Sequence, residues 1–177
     1  MTNTAESANP VTPSIVVMGV QGSGKSTVGR LLAERIGVEF LDGDDLHPAA
    51  NKAKMAGGES LTDEDRVPWL KAIGERLTSA REDGRTIVVA CSALKRWYRE
   101  LLRASDDGLA FLCLDGDAAL VAERLSHRNH EFMPATLLAS QFATLEPLAA
   151  WEAGVTVPVT LAPAEIVERA AAEFAAR

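Results

Sequence analysis

Eight residues near the start of the chain have types and spacing that suit the handling of phosphate. Gly19-Val20-Gln21-Gly22-Ser23-Gly24-Lys25-Ser26 follows the spacing G-x-x-x-x-G-K-[ST]. Glycines let consecutive backbone N–H groups turn inward around phosphate oxygens. A helix beginning at Lys25 would aim its positive end at them. Lys25 can then reach β- and γ-phosphates, and the Ser26 hydroxyl can ligate Mg2+. Acid follows at Asp42-Gly43-Asp44-Asp45. One carboxylate there can organise Mg2+ through its waters, and another can face an acceptor hydroxyl and take its proton. The other reading of these acids is that they cap the next helix.

The elements needed to position these groups are legible in the apolar pattern. Ile15 to Met18 is a short apolar run that ends at glycine, as a doubly buried strand does. Further strands are expected at Glu39–Leu41, Thr86–Ala90, Leu109–Leu114 and Val155–Leu161, the last an edge strand because it contains Pro158. Helices are expected at Lys25–Ile36, Asp63–Arg81, Leu94–Arg103, Asp117–Leu125 and Ala135–Leu145, with a closing helix opened by Pro163. Thr62 is placed to cap the second of these, with Asp65 three residues on. Five strands alternating with helices predict an α/β fold: a P-loop three-layer α/β/α sandwich on a five-stranded parallel sheet. In such sheets ligands sit at the carboxyl ends of the strands, where the glycine loop and the acids fall.

Composition limits the function classes. The chain has 177 residues, 47% hydrophobic and 24% charged, enough for one domain with a real core. Residues 1–13 are polar and read as a disordered lead-in, leaving 14–177 as a single domain. That start lacks a basic and then apolar leader, which predicts a cytoplasmic protein, and no apolar run approaches the roughly 20 residues of a membrane span. A net charge of −7 argues against a nucleic-acid partner. Cys91 and Cys113 lie in or beside apolar strands and read as buried free thiols. With His47, His127 and His130 they make no metal-ligand spacing. A switch GTPase is disfavoured, since Asn51-Lys52-Ala53-Lys54 lacks the aspartate of N-K-x-D and lies in the wrong region. No aspartate follows the strand that ends at Ala90. The acids instead follow the second strand, which favours a small-molecule kinase.

Longer stretches carry a specific resemblance. Gly19 to Thr27, Phe40-Leu41-Asp42-Gly43-Asp44, Leu46-His47-Pro48, Asn51, Lys54-Met55 and Gly58-Glu59 come first, followed by Leu61 to Arg66 and Pro68-Trp69-Leu70. Cys91-Ser92-Ala93-Leu94-Lys95, Tyr98-Arg99, Phe132-Met133-Pro134, Ser140-Gln141-Phe142 and Leu145-Glu146 complete the series. In this order, from about residue 15 to 147, the chain resembles the gluconokinases of the shikimate-kinase-like and nucleoside-monophosphate-kinase-like P-loop group. The resemblance implies ATP and Mg2+ as cofactors and transfer of the γ-phosphoryl group to the 6-hydroxyl of D-gluconate. It also implies a helical substrate-binding region and a mobile lid over about 124–134, and it leaves a homodimer open.

On that basis Gly19, Val20, Gln21, Gly22, Ser23, Gly24, Lys25, Ser26 and Thr27 hold ATP, and Ser26 and Asp42 serve the metal. Lys25, Asp44, Arg124 and Arg128 are the catalytic candidates, the two arginines neutralising charge on the transferring phosphoryl group from the lid. Asp44, His47, Lys54, Arg66 and Lys95 are the substrate-binding candidates. Each cation also has a plainer role open to it. Lys54 could lie on a solvated helix face, His47 could serve a helix start, and Arg66 could pair with Asp63 or Glu64. Many members of the family read Gly-His-Phe after the lid arginine, where this chain has Asn129-His130-Glu131-Phe132. His130 therefore receives no catalytic role.

Overall fold

Ile15, Val16, Val17 and Met18 are all fully buried, so the strand they form, β1 (Ile15–Met18), must be covered on both faces and both edges. A computed structural model, which describes residues 12–127 and 135–177, places it at the centre of a parallel sheet. Its neighbours are β3 (Ile87–Ala90), with Val16 opposite Val89, and β4 (Ala110–Asp115), with Val16 opposite Phe111. β2 (Glu39–Asp42) and β5 (Gly154–Pro158) are the outer strands, giving the order β2-β3-β1-β4-β5.

Alternation along β1 divides the core into two layers. Val16 and Met18 pack with Trp69, Ile73 and Leu77 of α3 (Asp63–Glu82) and with Tyr98 and Leu102 of α4 (Arg96–Arg103). Ile15 and Val17 pack with Val28 and Leu32 of α1 (Lys25–Ile36) and with Ile166 and Phe174 of α7 (Pro163–Ala175). The expected three-layer α/β/α sandwich on a five-stranded parallel sheet is therefore present. α5 (Ala118–Ser126) and α6 (Ala135–Thr144) complete the helices after β4. No described helix is long and apolar enough to cross a membrane.

Thr62 begins α3 as expected. Its Oγ1 accepts from Asp65 N at 3.1 Å, while the Asp65 carboxylate accepts from Thr62 N at 2.9 Å, a reciprocal capping box. At the edge, Val159 N donates inward to Asp115 O at 2.8 Å, so the nitrogen of the preceding Pro158 faces the open side of β5. Proline has no N–H to lose there, which suits the edge position expected for it.

Two differences from the sequence reading affect the site. Between β2 and α3 the chain forms a 3-10 turn (Gly43–Leu46) and a further helix, α2 (Ala49–Ala56). α4 starts at Arg96, so Lys95, expected inside a helix from Leu94, is its N-cap, and Arg99 is fully buried. Cys91 and Cys113 are buried free thiols, and burial pushes them up to about 12 and about 11.

Candidate active site

The loop from Gly19 to Gly24 takes backbone conformations that only glycine adopts easily. Gly19, Gly22 and Gly24 have φ of 146°, 80° and 98°. A Cβ on Gly22 would lie 2.6 Å from Leu125 Cγ of α5, so the loop also needs glycine for its packing. Val20 and Ser23 are buried beneath it. α1 starts immediately afterwards with no side-chain cap, leaving its first N–H groups directed at the loop's concavity. Lys25 Nζ donates to Val20 O at 2.9 Å, and Thr27 is exposed on the first turn. The cradle therefore fits phosphate oxygens.

Asp42, the last residue of β2, organises the next contacts. Its Oδ2 accepts from Ser26 Oγ at 2.8 Å, and its Oδ1 accepts from Asp44 N at 3.1 Å. One carboxylate thus joins the Ser26 hydroxyl to the turn that carries Asp44. It caps that turn and still lies beside Ser26, so both readings of the acids describe the same side chain. An oxygen pair of this kind, beside a phosphate cradle, fits Mg2+. The Asp44 side chain is 78% exposed at the surface of the cavity.

That cavity, about 440 Å³, is lined by Gln21, Lys25, Asp44, His47, Arg66, Ser92 and Gln141 among others. His47 lies on its wall, stacked on Trp69 with ring centroids 4.0 Å apart. Burial, with the charges of Arg66 and Lys52, lowers its pKa to about 4, so its ring is neutral at pH 7. The tautomer follows from Asn51, whose Nδ2 donates to Asp65 O at 2.8 Å and lies 3.3 Å from His47 Nδ1. Nδ1 is then the acceptor and Nε2 carries the proton, 3.9 Å from Asp44 Oδ1. His47 thus presents a neutral N–H donor next to the acid.

The other cations separate into two groups. Lys54 Nζ lies 2.7 Å from Asp65 Oδ2, and Lys95 Nζ lies 2.9 Å from Asp63 Oδ1, which also accepts from Tyr98 OH. The Tyr98 hydroxyl and the Lys95 ammonium hold the Asp63 carboxyl below its ordinary range. Lys54 and Lys95 are therefore both engaged by acids in the first turn of α3 and do not line the cavity. Arg66 does not pair with Asp63 or Glu64. It is 9% exposed, lies over the Tyr98 ring at 5.6 Å, lines the cavity and meets no carboxylate among the described residues. Arg124 donates to Val159 O beyond the end of β5 and does not line the cavity. Arg128 and the departure at His130-Glu131 lie outside the described residues.

Two site features escape local reading. Asn51, on α2, sets the His47 tautomer. Gln141, on α6, accepts from Gln21 N at 2.7 Å and closes one side of the cavity, 120 residues away in sequence. Both fall within the stretches that carry the resemblance, which was the only signal for them.

A family model described as an AAA domain matches residues 15–148. A gluconokinase of Gluconobacter oxydans is 50% identical over 132 residues, covering 75% of this chain and 74% of its own. A gluconokinase of Arabidopsis thaliana is 45% identical over 152 residues, covering 78% and 80%. Among solved structures, a gluconokinase from Sinorhizobium meliloti superposes with a TM-score of 0.86 at 51% identity, covering 94% of this chain and 93% of its own. Shikimate kinase from Aquifex aeolicus, at 16% identity and a TM-score of 0.60, shares the fold. With its phosphate cradle, its acids after β2 and these relatives, the chain belongs to the gluconokinase family of P-loop kinases.

Proposed function

We propose that this protein is a gluconokinase, transferring the γ-phosphoryl group of ATP to the 6-hydroxyl of D-gluconate to give 6-phosphogluconate and ADP. One observation carries the reading: in a chain of this family, a single cavity joins the phosphate loop at Lys25 to Asp44, His47 and Arg66. Gluconate is a linear monocarboxylate with many hydroxyls, so its site needs a cation and several hydrogen-bonding groups more than apolar walls.

Backbone N–H groups of the loop and of the first turn of α1 hold the phosphates, and Lys25 exchanges Val20 O for β/γ-phosphate oxygens. When bound, Mg2+ neutralises charge on those oxygens, and Ser26 Oγ with the Asp42 carboxylate are the groups that would hold it. Asp44 accepts the proton of the 6-hydroxyl as its oxygen bonds to the γ-phosphorus. The bond from that phosphorus to the bridging oxygen breaks, and ADP leaves with the electron pair. His47 Nε2–H donates to an acceptor hydroxyl. Arg66, in the cavity wall, meets the gluconate carboxylate, while Lys54 and Lys95 stay with the acids of α3. Arg124 and Arg128 belong to a lid over about 124–134 of the single domain 14–177. Arg124 must leave Val159 O before it can neutralise a phosphoryl group.

A coupled ADP-release assay across gluconate, other aldonates, shikimate, AMP and CMP tests the reading. Turnover is expected with gluconate above the rest. Absence of turnover with gluconate beside clear turnover with another acceptor overturns the substrate assignment.

A further inference from the structure

Leu137 in the first turn of α6 and Ser140 and Gln141 in its second turn line the cavity. Two adjacent residues there make contacts that run in different directions. Ser140 Oγ lies 3.2 Å from Ser60 Oγ, in the loop before α3 that borders the acceptor end. Gln141 Oε1 accepts from Gln21 N at 2.7 Å, in the phosphate loop. One turn of helix therefore spans the two halves of the cavity.

The Gln21 contact fixes the orientation of the Gln141 amide. A backbone N–H can be accepted only by the carboxamide oxygen, so the NH2 group is the other polar end of a side chain that lines the cavity. Nε2 has no hydrogen-bond partner among the described residues, and it is not sealed from solvent.

We infer that Gln141 is an acceptor-binding residue. Its NH2 group donates to a hydroxyl or carboxylate oxygen of the polyhydroxy acid, while its Oε1 keeps that donor in register with the phosphate loop. The inference rests on the gluconokinase reading and adds a specificity residue to it: an acceptor lacking an oxygen at this point leaves a donor unpaired, which a site built for hydrogen bonding penalises.

Two substitutions separate the donor from the anchor. Gln141→Glu retains an oxygen for Gln21 N and removes the NH2 group. Because it also adds a negative charge, binding of a neutral polyol is measured beside gluconate, and weakening of both reports the lost donor. Gln141→Leu removes both. Calorimetry measures gluconate binding in the presence of a non-hydrolysable ATP analogue, and separately the binding of the analogue. Melting curves establish that each variant is folded, and wild-type turnover is assayed alongside. Both variants are expected to weaken gluconate binding by about tenfold or more, as loss of one hydrogen bond in a closed site does, with analogue binding close to wild type. Wild-type gluconate affinity in Gln141→Glu, with loss only in Gln141→Leu, overturns the inference by showing that the anchor alone matters. Equal loss of analogue binding in both variants overturns it by placing Gln141 with the phosphates. A wild type that binds gluconate without phosphorylating it overturns the kinase reading, and the binding comparison still decides the role of Gln141.

Discussion

Arg99 and Glu152 form an ion pair in which both side chains are fully buried, with Nε 2.8 Å from Oε1 and Nη2 2.9 Å from Oε2. The guanidinium also donates to the carbonyls of Ala93, Leu94, Glu146 and Pro147, so it joins the loop after β3 to the segment between α6 and β5. Burial alone would raise the Glu152 carboxyl. Arg99, the backbone N–H of Ala149 and Arg103 hold it instead at about 2. Replacing one partner leaves the other charged and buried. Glu152→Gln is therefore expected to destabilise the protein by about 3–5 kcal/mol in urea unfolding. A loss below about 1 kcal/mol, the scale of exposed pairs, removes the pair as a structural clamp.

Asp44→Asn keeps the shape of the side chain and removes its basicity. kcat with gluconate is expected to fall by about 10²–10⁴, the usual contribution of a general base. ATP binding, measured by calorimetry, should persist, because the loop's N–H groups and Lys25, which hold the phosphates, are unchanged. Near-normal turnover eliminates Asp44 as the base.

Arg66→Met retains a stem against Tyr98 and removes the guanidinium. Loss of a charged hydrogen bond to the substrate carboxylate raises KM for gluconate by about 10- to 100-fold. The variant should also discriminate less between gluconate and an uncharged polyol. An unchanged KM, determined by initial rates, transfers the carboxylate to another cation.

The pH dependence of stability follows from His47. Its pKa is about 4 in the folded protein against an ordinary 6.5, so the unfolded chain binds the proton first as pH falls. Its contribution is complete above pH 6.5 and is lost progressively between 6.5 and 4. The full loss is about 3 kcal/mol, or roughly 10 °C in Tm for a chain of this size. In His47→Gln the slope of Tm against pH across that window should flatten. Identical slopes in variant and wild type assign the acid sensitivity elsewhere.

The sheet, its helices and the phosphate loop were legible because each has a local signature: apolar runs, a glycine spacing, a capping pair at Thr62 and Asp65. α2 entered only as a helix without bounds that Lys54 or His47 could serve, and its burial explains why. Its one buried residue is Asn51, so it has no apolar stripe to detect. Arg66 and Lys54 looked equivalent in sequence. Only the fold shows that Asp65 occupies Lys54 while Arg66 remains in the cavity wall. The Gln21–Gln141 and Arg99–Glu152 contacts join residues 120 and 53 positions apart, a separation across which spacing carries no information.

Pro158 has a bearing on how these molecules meet one another. Because its nitrogen faces the open side of β5, a strand approaching that edge finds a missing rung where it needs a donor. The opposite edge, β2, carries Glu39 held by Arg76 and Arg85, a charged guard against the same approach. Both margins of the sheet thus resist cross-strand aggregation. Copies of this chain that associate are therefore expected to do so through helical faces.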